Sequence, residues 1–330
     1  MSSCPVSRTA APPPEVRSRA RGCLLGQLAG DALGSQVEFL DPGEIQQLHP
    51  TGLRDLHDGG TWDTIAGQPT DDSEMALALA RCLVRHRRYD ARLVRSAYCA
   101  WLESGPFDCG RTVRRGLTGA PDPESQANGA LMRISPLGIF GAFVPAETLA
   151  SWARADAHLT HPHPVCVEAN ALFACTLARA IATGPIPESL YADLLARSRA
   201  PKVPAPVQQA VLDARTAPPP SFLHQGGWVL IAFQNAIYQL LHASTPEEAI
   251  VDTVMRGGDT DTNAAICGAL LGAVHGVEAL PGRWIQTVLQ CRPDAARAGV
   301  HQPRPRVYWP VDALELADAL VLGPASTGTV

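Results

Sequence analysis

Arg256-Gly257-Gly258-Asp259-Thr260-Asp261-Thr262-Asn263 leads directly into a run of small apolar residues, Ala264 to Ala273. The run reads as a buried helix, with the polar residues at its start. Carboxylates, hydroxyls and an amide packed this densely at a buried helix start are costly unless something cationic neutralises them. Asp, Thr and Asn are also favoured N-caps. A cap uses one such residue, whereas Asp259 to Asn263 offers five in a row. The metal reading is therefore the stronger one, and an elaborate cap with its turn is the alternative.

A second stretch has the same character. Thr70-Asp71-Asp72-Ser73-Glu74 precedes another helical pattern, Met75, Leu79, Cys82, Leu83. A helix start already favours anions, but adjacent carboxylates repel unless they share a cation or a proton. Two acidic helix starts far apart in sequence meet if their helices pack side by side. Neither stretch contains Cys or His. Oxygen-only ligands favour magnesium, manganese or calcium over zinc.

Residues 19–36 read as the first helix, with Gly22, Gly26, Gly30 and Gly34 along one face. Each glycine costs a helix about 1 kcal/mol against Ala, which makes sense where another backbone must come close. Gly268, Gly272 and Gly276 repeat the spacing, so the two striped helices are expected to pack together. Asp31 lies inside the first helix, either as a bonded core group or as part of a site. Glu38 follows it, on a segment that is otherwise read as an exposed loop.

Helical patterns then succeed one another at about 71–88, 90–104, 111–117, 146–159 and 165–183. They continue at about 188–198, 207–215, 225–243, 246–255, 262–276, 281–290 and 311–322. Residues 41–69 read as loop. The proline-rich interval 184–222 looks like a domain boundary, but the apolar patterns within it are those of packed short helices. No series of alternating strands occurs. The expectation is one all-α domain at 19–323, between a flexible tail at 1–18 and another at 324–330.

The chain has 330 residues, 46% hydrophobic and 18% charged, with a formal net charge of −5. The charge argues against nonspecific nucleic-acid binding. Nine cysteines, an odd number without a CxxC pair, read as reduced and buried. Neither a signal-peptide core nor an uninterrupted membrane-length apolar run is evident, so the expectation is a cytoplasmic protein. Without a heptad seam, a monomer is expected.

The motifs, taken in order, resemble the ADP-ribosylglycohydrolase family. They are Gly26 to Gly34, Val37-Glu38-Phe39, Trp62, Thr70 to Met75, Phe107-Asp108-Cys109-Gly110, Asn128 to Arg133, Thr160-His161-Pro162-His163 and Gly257 to Thr262. The likeness is nearest to the bacterial dinitrogenase reductase-activating glycohydrolases, which remove ADP-ribose from arginine. It implies an all-α fold with a binuclear Mg2+ or Mn2+ centre. By that resemblance Thr70, Asp71, Asp72 and Asp261 hold one ion. Asp259, Asp261 and Thr262 hold the other, with Asp261 bridging.

The same resemblance makes Glu38 an acidic residue on a mobile flap. Asp108 becomes the acid that arginine-directed members place beside the scissile bond. Glu38, Asp108 and Asp261 are the implied catalytic groups. Asn128, Gly129 and Met132 would line the ribose and diphosphate pocket, with His161 near the diphosphate or adenosine. The implied partner is an ADP-ribosylated protein. Other linkages (serine, nucleic acid, free conjugates), an immunity role against an ADP-ribosyltransferase toxin and a non-catalytic ADP-ribose binder are the rivals, the intact acidic clusters speaking against the last. For His158, His161 and His163, a capped turn stands against a zinc site, and Pro162 and Pro164 prevent a helical HxxH face.

Overall fold

The computed structural model describes residues 12–325. Among them are fifteen α-helices, two short 3-10 helices and no strand. In chain order the first five are α1 Pro14–Gly34, α2 Pro42–Leu48, α3 Asp71–His86, α4 Ala91–Glu103 and α5 Arg111–Leu117. Then come α6 Ser135–Phe140, α7 Ala146–His158, α8 Pro164–Thr183, α9 Pro187–Ser198 and α10 Ala205–Asp213. The last are α11 Val229–His242, α12 Pro246–Met255, α13 Thr260–His275, α14 Gly282–Gln290 and α15 Ala313–Val321. The expected all-α domain is present, and the proline-rich interval is part of it.

Helices α1 and α13 form the central pair, and their glycines set the spacing. A methyl group added at Gly22 would stand 2.3 Å from Gly272 O, and one at Gly26 would stand 2.2 Å from Gly268 O. At Gly30 the obstacle is Ala264 O at 2.2 Å, and at Gly34 it is Thr260 O at 2.3 Å. Partner numbers fall as these rise, so the helices run antiparallel with backbones in contact. The C-terminal end of α1 therefore lies against the start of α13, where Asp259 and Asp261 are.

The same end of α1 holds α3. Asp31 is fully buried and accepts from the backbone N–H groups of Thr70, at 3.2 Å, and Ser73, at 3.1 Å. It also accepts from Thr70 Oγ1 at 2.9 Å. A carboxylate from α1 thus satisfies two orphan donors at the start of α3. One helix end joins the two acidic helix starts.

Four expectations change. The first helix begins at Pro14, not 19, because Pro14 suits the first helical position and Val16 and Ala20 are buried. Residues 14–18 therefore belong to that helix and not to a tail. Within the supposed loop 41–69, Pro42–Leu48 is helical, and Asp41 and Glu44 form a reciprocal capping box there. The eleventh helix begins at Val229 and not 225, since Gln225 adopts a left-handed φ of 55° in a turn. Thr260 and Asp261 lie inside α13 instead of before it. Of the proposed tails, residues 1–11 and 326–330 lie outside the described residues.

Helix α8 is long and apolar enough to cross a membrane by length and composition, yet 89% of its apolar window is buried inside the protein. It serves as a core helix, packed against α6 and α7.

Candidate active site

The two acidic helix starts meet. Thr262 Oγ1, on α13, donates to Asp72 Oδ2, on α3, at 3.2 Å. Thr70 Oγ1 lies 3.4 Å from the same oxygen. Neither Thr70 nor Asp259, the residues preceding these helices, caps its own helix with its side chain. The elaborate-cap reading of the Asp259 stretch therefore fails.

Three carboxylates from separate parts of the chain, Glu38, Asp108 and Asp261, bring ligand oxygens within 4.8 Å of one another. Asp71 adjoins them, accepting from Gly110 N–H at 3.1 Å and sharing a hydrogen bond with Asp108. Asp259 accepts from the Asn128 amide at 2.7 Å. Glu38 accepts from Trp62 Nε1 at 2.6 Å.

Burial drives the electrostatics. It pushes the Glu38 carboxyl up to about 8, aided by Asp259 and resisted by the Trp62 hydrogen bond. Burial and then Asp71 push Asp108 up to about 10. Asp72 and Asp261 are raised well above the usual carboxylate range, by burial first. For Asp72 the next contributors are Asp71, Asp31, Asp259 and Asp108. For Asp261 they are Glu38, Asp72, Asp259 and Asp108. Asp72 Oδ1 is buried with no partner. Carboxylates that repel one another in a buried site, one of them with an orphaned oxygen, are arranged for a hard cation or for protons.

The cluster opens into a cleft of about 1010 Å³. Glu38, Asp71, Asp108, Asp259, Asp261 and Thr262 line it, while Thr70 and Asp72 lie behind them. Asn128, Gly129, Met132 and His161 line the same cleft. Gly129 is required by close approach, since a methyl group there would meet Val113 Cγ2 at 2.8 Å and His161 Cε1 at 3.0 Å. His161 is fully buried and its Nε2 has no partner. Burial, then Arg133, holds it well below the usual imidazole range, so the ring is neutral.

One sequence candidate goes elsewhere, and the zinc alternative for the histidines does not form. Glu74, the last acid of its stretch, faces away and forms a buried ion pair with Arg304 at 2.7 Å, with Trp101 Nε1 donating to it at 2.8 Å. The three histidines form no metal cluster among the described residues. His163 Nδ1 instead accepts from Val165 N–H at the start of α8.

Sequence reasoning missed one wall of the cleft, Gln225 to Trp228. This loop is latched to the segment before Asn128. Asn128 N–H donates to Gly227 O at 3.0 Å, Val229 N–H to Gln126 O at 2.9 Å, and Trp228 Nε1 to Gln126 Oε1 at 3.0 Å. The adjacent glycines Gly226-Gly227 were the available signal. It also missed that Phe39 N–H donates to Gly258 O at 2.8 Å and Gly258 N–H to Leu40 O at 3.0 Å. These bonds tie the Glu38 segment to the loop before α13. Gly258 has a φ of 77° there, and a side chain on it would meet Phe222 O at 2.2 Å.

The fold and cleft define an all-α enzyme-like protein whose site is built from carboxylates on remote helix starts. The model of one family, ADP-ribosylglycohydrolase, matches residues 12–322. The ADP-ribosyl-[dinitrogen reductase] glycohydrolase of Rhodospirillum rubrum is 33% identical over 282 residues, 82% of this chain and 90% of that one. The ADP-ribosylarginine hydrolase Tri1 of Pseudomonas putida (strain GB-1) is 28% identical over 295 residues, 84% of this chain and 76% of that one. A solved structure titled ADP-ribosylglycohydrolase-related protein complex superposes with a TM-score of 0.76 at 28% identity, covering 93% of this chain and 98% of that one. The chain belongs to the ADP-ribosylglycohydrolase family, and it is an enzyme of that type, a hydrolase acting on ADP-ribosylated substrates.

Proposed function

We propose that this enzyme removes ADP-ribose from arginine side chains of a modified protein, cleaving the N-glycosidic bond at the distal ribose beside two divalent cations, Mg2+ or Mn2+. Asp108 carries the arginine reading. It stands within the 4.8 Å cluster of Glu38 and Asp261, and a carboxylate is the natural partner of a guanidinium. The names of the relatives from R. rubrum and P. putida point the same way.

The donors fit the cations: all are oxygens, most are buried, and Asp72 Oδ1 is unpartnered. Thr70, Asp71, Asp72 and Asp261 would hold one ion and Asp259, Asp261 and Thr262 the other. Bound there, the ions supply Lewis-acid docking of ribose hydroxyls and an activated water.

The chain's own groups do the rest. Asp108, whose carboxyl burial and then Asp71 raise to about 10 and so keep protonated, positions the guanidine and gives its proton to the departing nitrogen. Glu38, oriented by Trp62 Nε1, takes the proton of the attacking water as the glycosidic bond opens through an oxocarbenium-like state. Asn128 holds Asp259. His161 presents an unpartnered ring nitrogen to the cleft wall beside Gly129, where it serves the diphosphate. We further propose that the protein works as a cytoplasmic monomer on a target modified by a separate ADP-ribosyltransferase.

The test is metal-supplemented hydrolysis of a defined ADP-ribosyl-arginine peptide beside a matched serine-linked one. Release from arginine, abolished by chelation, is expected. Release from serine alone would replace the arginine reading with a serine one.

A further inference from the structure

Phe39 is the most conspicuous apolar residue at the cleft. The residue is 65% exposed although its backbone is held on both sides. It also occupies a left-handed φ of 71°, a conformation that is rare for a bulky residue. Exposed ring and strained backbone each cost free energy, and such outliers collect at functional sites.

The ring does not stand alone. Phe39 meets the Trp62 ring edge-on with centroids 6.3 Å apart, and Trp62 meets Phe107 at 6.0 Å. The three rings adjoin the two acids that flank the scissile bond in the reading above. Glu38 precedes Phe39 in the chain and accepts from Trp62, and Asp108 follows Phe107. Trp62 is itself fixed from behind, because Gln302 Nε2 donates to its carbonyl oxygen at 3.1 Å. Aromatic rings beside converging carboxylates make a surface for a planar organic cation. The carboxyl oxygens accept from its N–H groups, and a ring face supplies cation–π attraction.

We propose that Phe39, backed by Trp62 and Phe107, forms the subsite for the side chain of the modified arginine, and so helps to select the leaving group. The occupant is the guanidinium with its aliphatic stem, a flat cation on a short apolar chain. This proposal rests on the arginine reading of the site. Phe39 selects by contact with the leaving group and leaves the ADP-ribose end of the cleft untouched.

The experiment compares wild type, Phe39→Leu and Phe39→Tyr on an ADP-ribosyl-arginine peptide, with a serine-linked peptide beside it. Agmatine and ADP-ribose are added separately as inhibitors. Leu keeps apolar bulk without a π face, whereas Tyr keeps the face. Phe39→Leu is expected to raise KM for the arginine peptide by about three- to tenfold. Agmatine inhibition should weaken by the same factor, with ADP-ribose inhibition at its wild-type strength. Phe39→Tyr should restore both arginine-side values. Because the side chain is exposed, melting temperatures should match and exclude misfolding as the cause. Unchanged KM and agmatine inhibition in Phe39→Leu, with wild type active on arginine, would overturn this subsite alone. An equal loss of ADP-ribose inhibition would also overturn it, by placing the ring at the other end of the substrate. Wild type that cleaves only the serine peptide would overturn the arginine reading and the subsite with it.

Discussion

Gly34 and Asp261 are in backbone contact: a methyl group added to Gly34 would stand 2.5 Å from Asp261 Cα. The packing of α1 on α13 and the placement of a central site carboxylate are therefore one feature. Gly26, two turns earlier, makes the equivalent contact with Gly268, seven residues along α13 from Asp261.

That difference gives the first prediction. Gly26→Ala and Gly34→Ala should both lower stability by about 2–3 kcal/mol, because backbone atoms cannot move aside as a side-chain tip can. The helix-propensity gain of about 1 kcal/mol offsets only part of the strain. Only Gly34→Ala should also weaken activity in the protein that remains folded, since it displaces Asp261. Melting curves and specific activity measured side by side check this. Equal specific activities in the two variants would break the link between packing and site.

Asp72 provides the second. It is buried, its Oδ1 is unpartnered, and carboxylates surround it. Asp72→Asn removes one negative charge without changing shape. In chelator the variant should melt higher than wild type. With Mg2+ or Mn2+ added, wild type should gain about 3 kcal/mol at a hundredfold excess over Kd, and the variant markedly less. Its hydrolysis should fall by more than about a hundredfold. A metal-independent melting temperature in wild type would contradict the proposed centre.

The residues legible in the sequence were those whose chemistry is local. Asp259 and Asp261, or Asp71 and Asp72, announce themselves because neighbouring carboxylates at a helix start have few structural uses. The glycine stripes of α1 and α13 were legible because a four-residue period fixes a helix face. Partners chosen by tertiary packing were not legible. Nothing around Glu74 distinguishes it from Asp72, yet it turns toward Arg304, 230 residues away. Asp31 was left between a core role and a site role, and it has a core role with a site consequence, capping α3 from another helix. The Gln225–Trp228 wall escaped notice because its latch, two backbone bonds and the Trp228–Gln126 side-chain bond, joins loops about a hundred residues apart that share no local pattern. The resemblance to the family, not spacing, assigned Asp108, Asn128 and His161, and the structure brings all three to the one cleft.

His161 makes a prediction about pH. Burial and Arg133 hold its ring well below the usual range, so the folded protein keeps it neutral. The unfolded chain takes up a proton below about 6.5. The unfolded state then binds more protons, and stability falls as pH drops through that value, by up to about 1.4 kcal/mol per pH unit. Above it the contribution is fully present. His161→Gln should flatten this part of the profile between pH 7.5 and 5.5 in denaturant titrations. Parallel profiles for the two proteins would show that His161 protonates within the fold.

Arg304 and Glu74 make the last. Both side chains are 2% exposed, so each charge depends on the other. Arg304 also donates to the carbonyl oxygens of Ser104 and Gly105, joining the C-terminal segment to the end of α4. Arg304→Met should cost about 3–5 kcal/mol, because it leaves the Glu74 carboxylate buried and uncompensated two residues from Asp72. Adding Glu74→Gln to that variant removes the stranded charge and should recover a large part of the loss, since an apolar or neutral pair of similar volume is often tolerated in place of a buried ion pair. Urea midpoints of the two single variants and the double variant give the coupling directly. If the losses simply add, the arginine acts through its bonds to Ser104 and Gly105. If the double variant is the more stable, the ion pair exists to neutralise a charge that α3 carries at its buried start.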